Sequence, residues 1–204
     1  MTKRTILTLL VGGVALLGAA ILAVSLLAPL QNPSDSRQVA ETPSVGGPFQ
    51  MVDTTGAPVS QADLQGKPTV LFFGFTYCPD VCPTTLYELT TLIQQLGSDA
   101  DKLNYVFVSV DAERDTPEQL RQYLSVFDPR IRGFTGTPEQ VDTIARAYRV
   151  YYKKVPTPDG GYTMDHTATT YLMGADGKFI GTISYQEDQG TALAKLKRLA
   201  GLKV

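Results

Sequence analysis

The feature that most constrains the fold is an unbroken apolar run at residues 69–75, followed directly by a helical repeat. The run reads Thr-Val-Leu-Phe-Phe-Gly-Phe, and an uninterrupted run of this length is typical of a strand buried on both faces. Apolar residues then recur every three or four positions, which predicts a helix over about 83–96. A buried strand that leads into a helix favours a parallel sheet covered by helices.

Two later helices begin with the same four residues, Thr-Pro-Glu-Gln, at Thr116 and at Thr137. Threonine is a good N-cap, proline suits the first helical position, and glutamine at the third position can complete a capping box. A second buried strand is predicted just before the first of these helices, at residues 103–110. The pattern therefore continues as strand and helix in alternation.

The remaining segments predict hairpins at both ends of this unit and a final helix. Residues 49–52 and the region around Val59 flank a turn at 53–56, and residues 169–173 and 179–185 flank a Gly-Ala-Asp-Gly turn. The final helix is predicted at about 189–200. The resulting order, β-α-β-α-α-β-β-α, predicts an α/β fold of the thioredoxin-like type, a central mixed sheet flanked by helices.

The N-terminus predicts a membrane anchor. Lys3 and Arg4 precede an uncharged apolar stretch that extends from Thr5 to Leu30, and a membrane-spanning helix needs roughly 20 such residues. A signal peptide cut near Ala28 is the alternative.

The positive-inside rule keeps the first residues in the cytoplasm. We therefore expect a single-pass protein of the bacterial inner membrane, with its folded domain in the periplasm. Residues 1–30 would form the anchor. Residues 31–48, rich in Pro, Gly and Ser, would form a flexible linker, and residues 49–204 the domain. The net charge of −2 argues against nucleic-acid binding, which needs a basic face.

Both cysteines of the chain lie in one short segment, Cys78-Pro-Asp-Val-Cys82-Pro83, between the buried strand and the helix. Pro83 suits the first helical position and would place Cys82 at or beside the N-cap. The positive end of the helix dipole favours a thiolate there. If redox-active, the two thiols would form a disulfide pair. Two thiolates also make a soft, incomplete metal site that suits Cu(I).

His166, the only histidine of the chain, is the candidate third ligand. It precedes the strand predicted at 169–173, and in a thioredoxin-type sheet the loop before that strand passes beside the N-terminus of the first helix. A surface loop histidine is the alternative. Asp80 or Asp165 could orient the imidazole, and both are otherwise solvated loop carboxylates. Structural zinc is disfavoured, since it usually takes four protein ligands.

The chain resembles the Sco/SenC family. The resemblance rests on residues 72–86, Phe-Phe-Gly-Phe-Thr-Tyr-Cys-Pro-Asp-Val-Cys-Pro-Thr-Thr-Leu, and on three further matches in the same order. These matches are Ser-Val-Asp at 109–111 with Glu-Arg-Asp-Thr-Pro at 113–117, Gly-Phe-Thr-Gly at 133–136, and Asp-His-Thr at 165–167.

The resemblance implies a thioredoxin-like copper protein that binds Cu(I) or Cu(II) through Cys78, Cys82 and His166. It implies a metallochaperone that helps assemble the CuA centre on subunit II of cytochrome c oxidase. Other periplasmic copper chaperones are further candidate partners. Two alternatives stay open: a thiol–disulfide reductase that keeps the cysteines of the CuA site reduced, and a redox sensor or peroxidase, for which Arg114 is a candidate activating residue.

Overall fold

The computed structural model describes residues 44–204, which belong to one compact unit. The predicted membrane anchor, residues 1–30, lies outside the described residues, and so does most of the predicted linker. Across residues 44–204, no helix combines the length and the apolar character needed to cross a membrane. The end of the linker touches the domain: Gly46 N–H donates to the Ala147 carbonyl at 2.9 Å, and Val45 packs against the core.

The described residues form nine strands, four α-helices and two short 3₁₀ segments. The strands are β1 Gln50–Asp53, β2 Pro58–Ser60, β3 Thr69–Gly74, β4 Asn104–Ser109, β5 Ile131–Thr135, β6 Tyr152–Pro156, β7 Tyr162–His166, β8 Thr170–Met173 and β9 Phe179–Ile183. The helices are α1 Val81–Leu96, α2 Pro117–Leu124, α3 Pro138–Ala147 and α4 Gln189–Leu199, and the 3₁₀ segments are Gln61–Leu64 and Gly97–Lys102.

Seven strands make one mixed sheet in the order β2-β1-β5-β4-β3-β8-β9. Strand β4 pairs in parallel with β3 and with β5, whereas β8 pairs antiparallel with β3 and with β9. The terminal hairpin is therefore an antiparallel edge on a parallel centre. This arrangement confirms the predicted α/β architecture with a central mixed sheet.

The central strands owe their position to their side chains. All six residues of β3 are buried, and so are five of the six in β4. Helix α1 covers one face through apolar residues one turn apart, each worth roughly 1.5–3 kcal/mol when fully buried. These residues are Leu86, Leu89, Leu92, Ile93 and Leu96. The end of β3 is consequently held rigidly where the chain enters the cysteine segment.

The two predicted N-caps are confirmed. The Thr116 hydroxyl accepts from the Gln119 amide at 3.2 Å, and the Thr137 hydroxyl accepts from the Gln140 amide at 3.4 Å. At the second helix the Gln140 side chain also accepts from the Thr137 amide at 2.9 Å, which completes the capping box.

Three strands, β5, β6 and β7, are not predicted by the sequence pattern. Strand β5 lies between α2 and α3. Its Gly133 sits so close to α2 that an added Cβ would lie 2.6 Å from the Leu124 side chain. Strands β6 and β7 form a separate two-stranded sheet, in the segment that the sequence predicts to be a loop leading to His166.

Candidate metal centre

The cysteine segment connects the buried end of β3 to the first turn of α1. The N-cap of α1 is Asp80, so the helix begins at Val81. The sequence had placed Pro83 at the first helical position and Cys82 at or beside the N-cap. Cys82 is instead the second helical residue and Pro83 the third. Proline is accepted there because the N–H groups of the first turn have no partner within the helix.

Cys82 is fully buried at 0% exposure, whereas Cys78 is partly exposed. The two cysteines are free thiols in this structure. The Cys82 amide donates to Cys78 Sγ at 3.4 Å, which is an interaction typical of a helix N-terminus with an anion. Because Cys82 lies in the first turn of α1, its backbone N–H is directed at Cys78, the more exposed of the two sulfurs.

His166 is the last residue of β7, not a loop residue as predicted. It pairs across the hairpin with Tyr152, and its Nε2 lies 3.5 Å from Cys82 Sγ, although the two residues are 84 positions apart. The structure therefore brings the histidine to the cysteines, as the sequence predicts, but on a different element.

The imidazole orientation is set by the backbone. His166 Nδ1 lies 3.0 Å from the Thr167 carbonyl oxygen. A carbonyl oxygen only accepts hydrogen bonds, so Nδ1 carries a proton and Nε2 is the ring nitrogen that faces Cys82. Phe75 and Phe72 pack edge-on against the ring at 5.7 and 6.3 Å between centroids. The packed ring thus directs towards the sulfurs the nitrogen that can bind a metal when it carries no proton.

The two thiols differ in acidity. Hydrogen bonding from Cys82, together with contributions from His166 and from the Asp80 backbone, lowers the pKa of Cys78 to about 4. The hydrogen bond with Cys78 and the burial of the Cys82 side chain raise the pKa of Cys82. The metal-free site thus holds a thiolate at Cys78 and a thiol at Cys82. A thiolate at the surface with a protonated thiol behind it suits both metal binding and thiol–disulfide exchange.

We expect iodoacetamide to label Cys78 at a rate that is nearly constant between about pH 5 and pH 8, since the lowered pKa keeps it a thiolate throughout. Buried Cys82 should stay unlabelled. Peptide mass spectrometry of the reduced, metal-free chain measures both rates. In denaturant, both cysteines should regain the pH dependence of an ordinary thiol with a pKa of about 8.5. A native Cys78 rate that rises about tenfold per pH unit in this range would contradict the assignment.

Gly74, at the end of β3, leaves the space that Cys82 occupies. A Cβ at this position would lie 2.8 Å from Cys82 Sγ and 2.8 Å from the ring of Phe107. Both neighbours are fully buried, so neither side chain can swing into solvent. This role is not predictable from the sequence, because a glycine within an apolar strand does not reveal which side chain packs against it.

Gly74→Ala is therefore expected to lower the free energy of unfolding by ~1–3 kcal/mol through overpacking. Chemical denaturation measures this loss of stability. The variant should also displace Cys82 and slow metal binding. Gly181→Ala is the matched control, because a Cβ at this strand glycine meets nothing within 4 Å. Equal stabilities of the two variants would show that the close contact at Gly74 has no energetic weight.

The other sequence candidates have separate roles. Asp80 occupies the N-cap position of α1 without a side-chain hydrogen bond to the helix backbone, and its Oδ1 accepts from the Thr84 hydroxyl at 3.3 Å. Asp165 is exposed, and the carbonyl of Thr167 rather than a carboxylate orients His166. Met164 is a buried core residue at 8% exposure, which also lines the cavity of about 240 Å³ that holds Cys78 and His166.

The spacing of the donors is compatible with one shared ion. Two atoms that each bind a first-row metal at about 2.0–2.3 Å with angles near 110° lie about 3.3–3.8 Å apart, and the Cys82–His166 separation of 3.5 Å falls in this range. Among residues 44–204, however, no three Cys, His, Asp or Glu side chains already converge as a ligand set. Binding of one ion by all three residues would therefore require a side-chain adjustment.

The sequence pattern of the SCO1/SenC family matches residues 37–201. The chain belongs to the SCO1/SenC family. Among curated relatives, the mitochondrial protein SCO1 homolog 1 of Arabidopsis thaliana is 42% identical over 153 residues, which cover 72% of this chain and 46% of the relative. The chain spans about half the length of three curated relatives that it matches.

Solved structures of this family share the fold. The structure of Bradyrhizobium japonicum ScoI with copper bound is 51% identical, with a TM-score of 0.72 over 76% of this chain and 99% of that one. A more distant structure is that of BsSco, a member of the Sco family of cytochrome c oxidase assembly proteins in which a disulfide switch was identified. It is 24% identical, with a TM-score of 0.61 over 79% of this chain and 96% of that one, and it shows the shared fold alone.

Proposed function

We propose that this SCO1/SenC protein binds copper through Cys78, Cys82 and His166. The observation that carries the proposal is the 3.5 Å approach of His166 Nε2 to Cys82 Sγ, beside a second sulfur that accepts a hydrogen bond from the Cys82 amide. Two thiolates suit the soft Cu(I) ion, and an added imidazole makes Cu(II) acceptable. Copper bound to ScoI, which is 51% identical, supports the same cargo here.

The proposed role is that of a metallochaperone in cytochrome c oxidase assembly, with copper as cargo. Copper held near the surface by a partly exposed Cys78 can pass to a partner by stepwise exchange of one thiolate for another. The CuA domain of oxidase subunit II is the proposed acceptor, and periplasmic copper chaperones are the proposed sources. Family membership supports the assignment to oxidase assembly.

The proposed location follows from residues outside the described range. Residues 1–30 would anchor the chain in the bacterial inner membrane, with residues 49–204 on the periplasmic side. The support is the pattern of Lys3 and Arg4 before an uncharged apolar stretch. A thioredoxin-like domain on that face can reach a copper acceptor on the same membrane.

The second candidate function is thiol–disulfide reduction, which the acidity difference between the thiols favours. The Cys78 thiolate would attack a partner disulfide and form a mixed disulfide while one partner sulfur leaves as a thiolate. Cys82 would then give its proton to the released partner thiolate and attack Cys78 Sγ, which breaks the mixed disulfide and releases the second partner sulfur. The products are a Cys78–Cys82 disulfide and a reduced partner dithiol, so the chain supplies both electrons.

A copper titration of the reduced full chain tests the main proposal. We expect one copper per chain, and its appearance in the metal-free CuA domain when the loaded chain is mixed with it. A chain that binds no copper, but reduces the oxidised CuA domain without metal, would replace the first function with the second. The reductase activity should survive His166→Ala, because the bonds that form and break in the exchange join sulfur atoms only.

A further inference from the structure

Arg114 lies where the cysteine segment meets the hairpin that carries His166. Its side chain is 22% exposed, and its Nε donates to Asp111 Oδ2 at 2.6 Å. Its Nη1 donates to the Tyr162 carbonyl oxygen at 2.9 Å. Asp111 is 2% exposed, and its Oδ1 accepts from the Tyr162 hydroxyl at 2.9 Å. A buried carboxylate and a backbone carbonyl therefore fix the plane of the guanidinium.

Two aromatic rings enclose that plane from different elements. The Arg114 guanidinium carbon lies 3.7 Å from the centroid of Tyr162 and 4.5 Å from that of Tyr77. Tyr77 directly precedes Cys78, and Tyr162 opens β7, the strand that ends at His166. One side chain thus contacts both the neighbour of a sulfur ligand and the strand of the nitrogen ligand.

The hairpin depends on such contacts because it is separate from the main sheet. Strands β6 and β7 pair only with each other among the described strands, and an isolated two-stranded hairpin is marginally stable. Apart from the Arg114 contacts, the Tyr162 hydroxyl donates to buried Asp111 at 2.9 Å and His166 Nε2 lies 3.5 Å from Cys82 Sγ. The remaining polar links are an exposed ion pair of Lys154 with Glu113 and a 3.4 Å contact of the Tyr152 hydroxyl with Asp142. Exposed ion pairs contribute little, so the partly buried cluster of Arg114, Asp111 and Tyr162 supplies the main polar attachment.

We propose that Arg114 is a positioning residue that sets the distance between the cysteine segment and His166, and so controls the binding of Cu(II) relative to Cu(I). This inference rests on the proposed copper function. The two sulfurs lie on one short segment and stay together whatever the hairpin does. The imidazole reaches them only while β7 is held in place. Loss of the Arg114 contacts should therefore weaken the binding of Cu(II), which needs the nitrogen ligand. It should leave the binding of Cu(I), for which two thiolates suffice, nearly unchanged.

The test uses Arg114→Gln, which removes the charge, and Arg114→Lys, which keeps the charge but loses the planar fork and the stacking. In the full chain, we expect Arg114→Gln to weaken Cu(II) binding on the order of 10–100-fold, as removal of outer partners of metal ligands does. Cu(I) affinity should change by less than about threefold. The sulfur-to-Cu(II) absorption and the electron paramagnetic resonance spectrum should shift towards those of His166→Ala. Arg114→Lys should lie between the wild type and Arg114→Gln.

A second readout needs no metal. Amide hydrogen exchange of residues 162–167 in the metal-free chain should accelerate in Arg114→Gln, while exchange within α1 stays unchanged. Arg121→Gln is the matched control, because this exposed arginine pairs only with Glu118 on the same helix. Should Arg114→Gln fail to fold, Arg114→Lys carries the same comparison.

Unchanged Cu(II) affinity and unchanged exchange in a folded variant would overturn the positioning role. Equal losses of Cu(I) and Cu(II) binding, with the wild-type spectrum retained, would also overturn it, since general destabilisation would explain them. A wild-type chain that binds no copper would overturn the proposed function instead. The hydrogen exchange of residues 162–167 would then still decide whether Arg114 holds the hairpin.

Discussion

Cys82→Ser is expected to weaken Cu(I) binding by more than about 1,000-fold, or ~4 kcal/mol. Serine is nearly isosteric, but its hydroxyl is a hard, neutral donor that does not ionise near neutral pH, whereas Cu(I) prefers thiolate. The change also leaves Cys78 as a single sulfur without its hydrogen-bonding thiol neighbour. Competition with a Cu(I) chelator measures the affinity of the reduced chain.

The controls for this change separate a lost ligand from a damaged core. Cys82→Ala keeps the buried site apolar and should lose Cu(I) to the same extent. Thr85→Ala, one turn along the same helix, removes a hydrogen bond to the Val81 carbonyl but no metal donor, and it should bind Cu(I) as the wild type does. Retention of Cu(I) by both Cys82 variants would remove Cys82 from the site.

His166→Ala is expected to weaken Cu(II) binding by at least about 100-fold. Removing a residue that only hydrogen-bonds to a metal ligand lowers metal affinity by up to about that factor, and His166 is itself a proposed ligand. Cu(I) affinity should fall less than about tenfold, because two thiolates remain. The physical reason is that Cu(II) is the harder ion and depends on the imidazole Nε2, which the Thr167 carbonyl directs towards the sulfurs. Titration of the chain in each copper oxidation state measures the two affinities.

Asp165→Asn is the matched control on the same strand. Its exposed carboxylate precedes the histidine, yet the imidazole hydrogen bond runs to the Thr167 carbonyl, so both copper affinities should stay within about threefold of the wild type. Equal affinities of His166→Ala and the wild type for both ions would mean that His166 only lies near the sulfurs. Copper would then be bound by the thiolates alone.

Local sequence patterns were sufficient to predict most of the helices and strands. The buried run at 69–75 and the capped helices after Thr116 and Thr137 report short-range geometry, which neighbouring residues set by themselves. Strand β5 could not be predicted in this way. Its Ile-Arg-Gly-Phe-Thr sequence interrupts the apolar pattern with Arg132 and Gly133, and its burial arises from contact with α2, which no local pattern records.

The candidate site divides in the same way. Sequence was sufficient to place two thiols at a helix N-terminus, because the strand before Cys78 and the helix after Cys82 fix them there, and the predicted fold also brought His166 towards them. The three-dimensional structure was needed to show that His166 reaches Cys82 from the end of a hairpin, that Gly74 leaves room for Cys82, and that Arg114 joins the two segments. These relations connect residues distant along the chain, and they are decided by packing and strand register, for which the spacing of residue types carries no signal.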